Sequence, residues 1–534
     1  MIADFSRRLD IAGIVDRACP MRDVGSLSHG QVIEALIANR LTGPKAMVAV
    51  ADWAHAWAVE EVYGIDPDTL NDDRLGRALD ALAEQVDRVV GSIGATAIDA
   101  FGIDVTRCHW DMTSISLYGA YNQLDDDHPA PAYGRPKDRR TDLKQIQAGI
   151  AVTADGAIPI FSHAYDGNAA EIAQVTDTMR ALQTLATPRS FLLVGDSKLI
   201  SYPNVTAMND ANVTFIAPLA ASRVPDGLFA GLDRTQTTFV DYIAERDEDQ
   251  RCLDRGAYRV REDTMYLTGP RKKDPVLTLR RILVHSTANA AAQTKSRTLK
   301  LARARTDLDT LTRTAGTRHH PTAQAVAAKA IAIARHRRVV AYLQTTITTD
   351  DTGKPTFAWT FDQATLDAEA AADGWYALLT NLPTDIDATE VFLRYKDQPT
   401  VERRYGELKG PLAVAPIFLR NNRRITALIT VICLALHIFC LIEREVRRNL
   451  APDTEIRGFY TNDRRPRKPT GRLILQALRE LRLIPAPRDQ PATIPKPGYL
   501  QAQLLALLRV DPTCQSPRSV EDSAMRLRAS WPRP

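Results

Sequence analysis

Residues 147–163 read QAGIAVTADGAIPIFSH. Two short apolar runs, 147–153 and 158–163, flank Asp155-Gly156, a pair suited to the positive φ angles of a tight hairpin turn. Upstream, residues 97–118 are rich in Ile, Val, Thr, Trp and Tyr without a long helical stripe, so they read as extended chain. Downstream, residues 170–185 read as a helix, and FLLV at 191–194 reads as a compact buried strand. Residues 213–216 read as another strand. Strand, hairpin, helix, strand, helix, strand predicts a mixed α/β core.

The flanks differ in character. Residues 1–95 read as helical: 31–58 have few breakers, and 72–90 repeat Leu75, Leu79, Leu82, Val86 and Val89 at helical spacing. Residues 220–385 interrupt the core. Their runs at 257–260, 264–267 and 280–284 suggest strands, 290–340 read as basic helix, and 375–380 as a further strand. After Pro399 the chain reads as helical again. Residues 425–442 are 18 positions without a charged side chain, and they hold Thr426, Thr430 and His437 between Arg423, Arg424 and Arg444. That run is at the lower edge of a membrane span; a buried core helix is the expectation, with no membrane partner. Pro485, Pro487, Pro491, Pro495 and Pro497 mark a linker and tail. The expected division is 1–95, 96–219, 220–385, 386–450 and 451–534.

The chain has 534 residues, 45% hydrophobic and 25% charged, an ordinary globular composition too long for one core. Its six cysteines form no C-x-x-C pair, which argues against a zinc or disulfide framework and for a reducing, cytoplasmic setting. The N-terminal stretch lacks the apolar core of a signal peptide. Net charge is +4, but residues 1–96 carry −6, whereas 293–338 and 420–488 carry +9 each. Two separated basic blocks suggest a polyanionic partner. No G-x-x-x-x-G-K-[ST] run is present, which excludes a P-loop ATPase. No His is followed by Arg three positions on, which weakens a tyrosine-recombinase reading.

Three acids stand out. Asp111 lies in the strand-like HWDMTSISLYG, and Asp196 follows the buried run FLLVG, where open α/β sheets place functional groups. Glu402 lies in YKDQPTVERRYGELKG, which reads as a helix from Pro399 to about Gly410. Glu402 and Lys409, seven positions apart, share one face of that helix. Asp104, with Asp99, is the rival of Asp111, and both read as turn residues near Gly102. Glu407 is the rival of Glu402 and points about 140° away around the helix. Asp142 and Asp166 read as structural loop residues, and the isolated His109, His163 and His437 as structural histidines.

The spacing Tyr395-x2-Gln398-x3-Glu402-x6-Lys409 resembles the Tyr-x2-Arg-x3-Glu-x6-Lys signature of the insertion-sequence DDE transposases. In the same order, DMTSISLYG resembles the family's first-Asp strand, residues 133–171 its following strands and loop, and LLVGDSKL its second-Asp strand. The resemblance covers roughly 97–220 and 370–445. It implies an α/β fold with a ribonuclease H-like core, interrupted by a large β-rich and helical insertion and preceded by a helical N-terminal domain. It implies that Asp111, Asp196 and Glu402 hold two Mg²⁺, with Mn²⁺ able to substitute, for cleaving and joining DNA strands. It further implies double-stranded DNA as partner, both transposon ends and target, and a homodimer on that DNA. Tyr395, Gln398 and Lys409 are the implied DNA contacts. Gln398 stands where the signature has Arg, so Arg403 and Arg404 are candidates to supply the missing charge. A non-cutting domesticated relative and a nuclease that only hydrolyses are the alternatives.

Overall fold

The computed structural model describes the chain except residues 22–26, 122–124, 187–189, 245–246, 248–249, 252–254, 416, 418, 452–453, 461–467, 485–492 and 512–534. In chain order the helices and strands are α1 Ile2–Arg8, α2 Ile11–Ala18, α3 His29–Thr42, α4 Val50–Ala56, α5 Val59–Tyr63, α6 Asp72–Ala83, α7 Val86–Phe101, β1 Arg107–Leu117, β2 Lys144–Thr153, β3 Pro159–Tyr165, α8 Glu171–Ala186, β4 Leu192–Val194 and α9 Tyr202–Asp210. There follow β5 Thr214–Pro218, β6 Thr238–Val240, β7 Tyr258–Leu267, β8 Leu277–Ser286, α10 Thr287–Thr314, α11 Ala323–Arg337, β9 Leu343–Thr349, β10 Pro355–Phe361, α12 Gln363–Ala371, β11 Trp375–Thr380 and α13 Ala388–Lys396. The last are α14 Pro399–Lys409, α15 Asn422–Asn449, α16 Gly471–Arg479 and α17 Tyr499–Leu508. Two compact units result: Met1–Thr214 with Asp397–Pro534, and Phe215–Lys396.

In the first unit the strands run in the order β3-β2-β1-β4. β1 and β2 pair antiparallel along ten positions, from Cys108 opposite Thr153 to Leu117 opposite Lys144. The expected hairpin turn joins β2 to β3, with φ +79° at Gly156 and +52° at Ala157. On its other edge β1 pairs parallel with β4, so the sheet is mixed. The crossover from β3 to β4 carries α8, as a parallel connection requires.

α15 is the core helix of this unit. It is apolar all round, which suits a helix covered on every side, and its apolar window is entirely buried against neighbours that include α3, α6 and β3. By length and composition it could cross a membrane, but its basic start is tied into the fold: Arg424 pairs with Asp80 at 2.7 Å and Arg423 with Glu84 at 3.0 Å, both acids at α6. His437 donates from Nδ1 to the Pro159 carbonyl, 2.8 Å away, a structural role.

The N-terminal helices fall in the same compact unit as β1–β4. Residues 31–58 are not one helix, because Gly43-Pro44 ends α3. Residues 72–90 break at Glu84-Gln85. α7 runs on to Phe101, beyond the position where extended chain was expected, and stops where Gly102 takes a left-handed φ of +59°. Asp99 therefore lies in a helix, while Asp104 is a turn residue that accepts from the Thr106 amide at 2.9 Å.

The second unit begins five positions before the expected 220 and ends eleven after the expected 385. It holds an all-antiparallel sheet in the order β5-β11-β8-β7-β6. The runs at 257–260 and 264–267 are one strand, β7. A separate hairpin, β9–β10, packs with α10, α11 and α12 around Leu308, Leu311, Val326, Ala330 and Phe357. That hairpin was not expected: LQTTITT lacks an apolar alternation, and only the turn around Gly353, φ +80°, signals it. α13 carries Tyr395 and lies in this unit, whereas α14 belongs to the first. The Pro-rich tail expected from 485 falls largely outside the described residues.

Candidate metal centre

The parallel register of β1 and β4 sets His109 opposite Val194. Two positions further along each strand stand Asp111 and Asp196. Neighbouring strands are about 4.8 Å apart, so residues 85 positions apart in sequence arrive at one place. β4 has ended by then, and Asp196 instead caps the short helical turn Ser197–Leu199, accepting from the Lys198 amide at 2.9 Å. Asp111 is still within β1, 8% exposed, with Oδ1 accepting from the Met112 amide at 2.8 Å.

A third carboxylate joins them. Glu171 opens α8, and one ligand oxygen from each of Asp111, Glu171 and Asp196 lies within 4.8 Å of the others. The approach to Glu171 is a tight loop over β2. Gln145 and Gln147 donate to the carbonyls of Gly167 and Ala169 at 2.6 and 2.7 Å. A Cβ on Gly167 would sit 1.9 Å from the Gln145 carbonyl oxygen, so only glycine permits this approach.

Two lysines balance the acids. Lys137 Nζ donates to Asp111 Oδ1 and Oδ2 at 3.3 and 3.2 Å. Its loop is clipped to β1: the Lys137 amide donates to Ser114 Oγ at 3.0 Å, and Ser116 donates to Asp138 at 2.7 Å. Lys198 donates to Glu171 Oε2 and lies 3.9 Å from Asp196. Burial pushes the Asp196 carboxyl above its ordinary range, against the Lys198 amide, and the Asp111 charge pushes the same way. Burial holds the Lys198 ammonium below its usual value, helped by Lys137. An all-oxygen donor set with no histidine or thiolate suits a hard divalent cation such as Mg²⁺ or Mn²⁺. One carboxylate oxygen, Glu171 Oε1, is buried with no hydrogen-bond partner, which fits an ion held there.

α14 supports the centre from the side of β1. Its buried face carries Val401, Arg404, Tyr405 and Leu408. Tyr405 donates its hydroxyl to the backbone carbonyl of Asp111, and burial raises its pKa far enough to keep it a donor. Lys137 Nζ lies 5.9 Å above the Tyr405 ring.

The sequence-derived residues divide as follows. Asp111 and Asp196 come together, and Glu402 is not part of that three-acid group. Its side chain is exposed on α14, one turn before Tyr405. Lys409 shares that face; burial lowers its pKa, opposed by Asp138 and Asp111 and assisted by Lys137. Arg403 is exposed. Two of the expected DNA contacts have internal partners. Gln398 is buried, with Oε1 3.1 Å from His109 Nδ1 inside the core. Arg404 is buried and paired with Glu443 at 3.0 Å. Side chains committed to internal partners are not offered to a phosphate.

Of the rivals, Glu407 faces Arg472 at 3.4 Å, Asp142 pairs with Arg140, and Asp166 accepts from the Ala130 amide at 2.7 Å. Glu171 was missed. An acid in the first turn of a helix is ordinarily a partner of the helix dipole, and nothing in DGNAAE separates it from that role; only the fold brings it to Asp111.

Residues 1–92 match the model of a family described as a domain of unknown function (DUF4277), a segment that ends before β1. No curated protein matches the chain. Among solved structures it is similar to the piggyBac transposase synaptic complex with hairpin DNA, at 9% identity and a TM-score of 0.38, over 98% of this chain and 84% of that one. It is also similar to the Mos1 transposase paired-end complex with left transposon end, at 12% identity and a TM-score of 0.15, over 39% of this chain and 63% of that one.

Proposed function

We propose that the chain is a DNA transposase that cuts the ends of an insertion sequence and joins them to target DNA. The observation that carries this reading is the convergence of Asp111 and Asp196 from adjacent parallel strands into one all-oxygen, three-carboxylate centre. Scattered acids meeting at a strand end are what phosphodiester transfer needs. Divalent cations, Mg²⁺ with Mn²⁺ as substitute, would neutralise the phosphate charge and polarise the attacking and leaving oxygens.

The chain's own groups supply the rest. Asp111 and Asp196 would hold the cations, with Glu402, on the exposed face of α14, as the third acid that the resemblance implies. Lys409 on that same face binds a DNA phosphate as a point charge. Tyr405 fixes the backbone at Asp111, so the carboxylate is held before DNA arrives. Lys137 and Lys198 occupy the acids meanwhile; both are half-exposed on flexible stems and free to withdraw. In this reading the fold is a ribonuclease H-like core with the second unit as its insertion. The protein works in the cytoplasm as a homodimer, one active site per DNA end.

The test is DNA carrying short inverted repeats from either side of the coding region, incubated with protein and Mg²⁺. Nicking at the repeats and joining of the new 3′ ends to a second DNA are expected. Nicking without joining leaves a nuclease, and binding without either leaves a non-cutting relative.

The second unit is expected to add phosphate contacts through α10. Of the five bases Lys295, Arg297, Lys300, Arg303 and Arg305 along it, two are engaged internally. Arg297 is buried against Asp373 and Glu369, and Lys300 donates to Tyr342. Lys295, Arg303 and Arg305 are exposed. Replacing these three by Gln is expected to flatten the slope of log affinity against log salt by about 2–3, at roughly 0.9 per phosphate contact. An unchanged slope would remove α10 from the DNA interface.

A further inference from the structure

We propose that Glu171 is a direct metal ligand, completing with Asp111 and Asp196 an oxygen-only site built from β1, the end of β4 and the first residue of α8. The proposal rests on the two-metal reading above and adds to it a ligand that the motif resemblance does not contain.

Three acids in proximity are common without an ion. Here a second observation separates the site from a solvated acidic patch. The Glu171 side chain is 8% exposed, and its two oxygens differ: Oε2 accepts from Lys198, whereas Oε1 is buried with no partner. Buried carboxylate oxygens without a donor are rare because desolvation is then uncompensated. A role with the helix dipole does not account for it, since that role supplies no hydrogen-bond donor to the buried Oε1. Oxygens of Asp111 and Asp196 lie within 4.8 Å, so a cation there would meet donors from all three.

The geometry is imposed by the chain. The Gly167 approach and the amides of Gln145 and Gln147 fix the loop that delivers Glu171. The partners that now hold the acids, Lys137 and Lys198, have side chains 50% and 49% exposed, and a lysine ammonium can move into water without disturbing the backbone.

The experiment is Mn²⁺ binding to the full-length protein without DNA, followed by the loss of the free-ion electron paramagnetic resonance signal. Glu171→Gln is expected to weaken Mn²⁺ binding by about tenfold or more, as Asp111→Asn and Asp196→Asn do. If Glu171→Gln binds like wild type while the two Asp variants do not, Glu171 is no ligand and the metal reading of Asp111 and Asp196 stands. If all three variants bind like wild type, both fail. Should circular dichroism show that Glu171→Gln does not fold, Glu171→Asp carries the test, because it keeps the charge beside Lys198 but retracts the oxygens. Its affinity is expected to fall several-fold, and undiminished affinity overturns the proposal.

Discussion

Asp111→Asn and Asp196→Asn are each expected to slow DNA cleavage and joining by about a thousandfold or more, while leaving binding to DNA ends intact. Each change keeps the side chain's shape and removes the charge that holds the cation. Losing about 4 kcal/mol of transition-state stabilisation is a factor of a thousand in rate. Binding persists because neither carboxylate attracts a phosphate, and the removal of a negative charge favours the polyanion. The structure adds a control within the centre: Lys137 would lose its partner in Asp111→Asn, yet its backbone remains held by Ser114. Asp104→Asn and Glu407→Gln are expected to stay active, since Asp104 caps a turn and Glu407 faces Arg472. Glu402→Gln is the informative third variant. Inactivity with intact folding makes Glu402 part of the reacting centre, as the family signature implies, although its side chain lies outside the three-acid group. Full activity in both Asp variants would end the metal-dependent reading.

Of the strands that build the centre, β1 was legible from its content of β-branched and aromatic residues, and β4 as a short apolar run. β4 and β11 need no partner to be recognised: burial on both faces makes them nearly continuous in hydrophobicity. Asp196 was legible for the same reason, as the first acid after such a run. The elements that were not legible depend on contacts remote in sequence. α7 continues through Ala97 to Phe101 because its buried face, Val89, Ile93 and Ala97, meets the rest of the unit; locally the segment is as compatible with strand. β9 is a run of Gln and Thr whose pairing, not its burial, defines it. Glu171 and Gln398 were obscured in opposite ways. Glu171 has the sequence context of a helix start, and its burial beside Asp111 is a tertiary fact. Gln398 has the context of a surface signature, but His109, 289 positions earlier, partners its Oε1 inside the core.

Arg404→Ala is expected to destabilise the protein by about 3 kcal/mol and to leave DNA affinity per folded molecule unchanged. The guanidinium is buried and donates to the carbonyls of Gly156 and Ala157 at 2.8 and 3.2 Å as well as to Glu443 at 3.0 Å. It thereby ties α14 to both the β2–β3 turn and α15. Removing one partner of a buried pair costs about 3–5 kcal/mol, because the other charge stays behind without water. The low end applies, since Glu443 keeps Arg447 at 3.1 Å and the Gly471 amide at 2.7 Å. Burial alone would push the Glu443 carboxyl up, but Arg404 and Arg447 outweigh it and hold it below its usual range. A depressed carboxylate stabilises the fold fully above the ordinary carboxylate pKa and loses that contribution as pH falls through the depressed value. The gap between wild type and Arg404→Ala, read from denaturant unfolding, is therefore expected to be widest near neutral pH and to narrow on acidification below about 4. Pairing Arg404→Met with Glu443→Leu removes both charges and is expected to recover much of the loss. Unchanged stability with weakened DNA binding would instead return Arg404 to the DNA interface, as a candidate for the charge that Gln398 lacks.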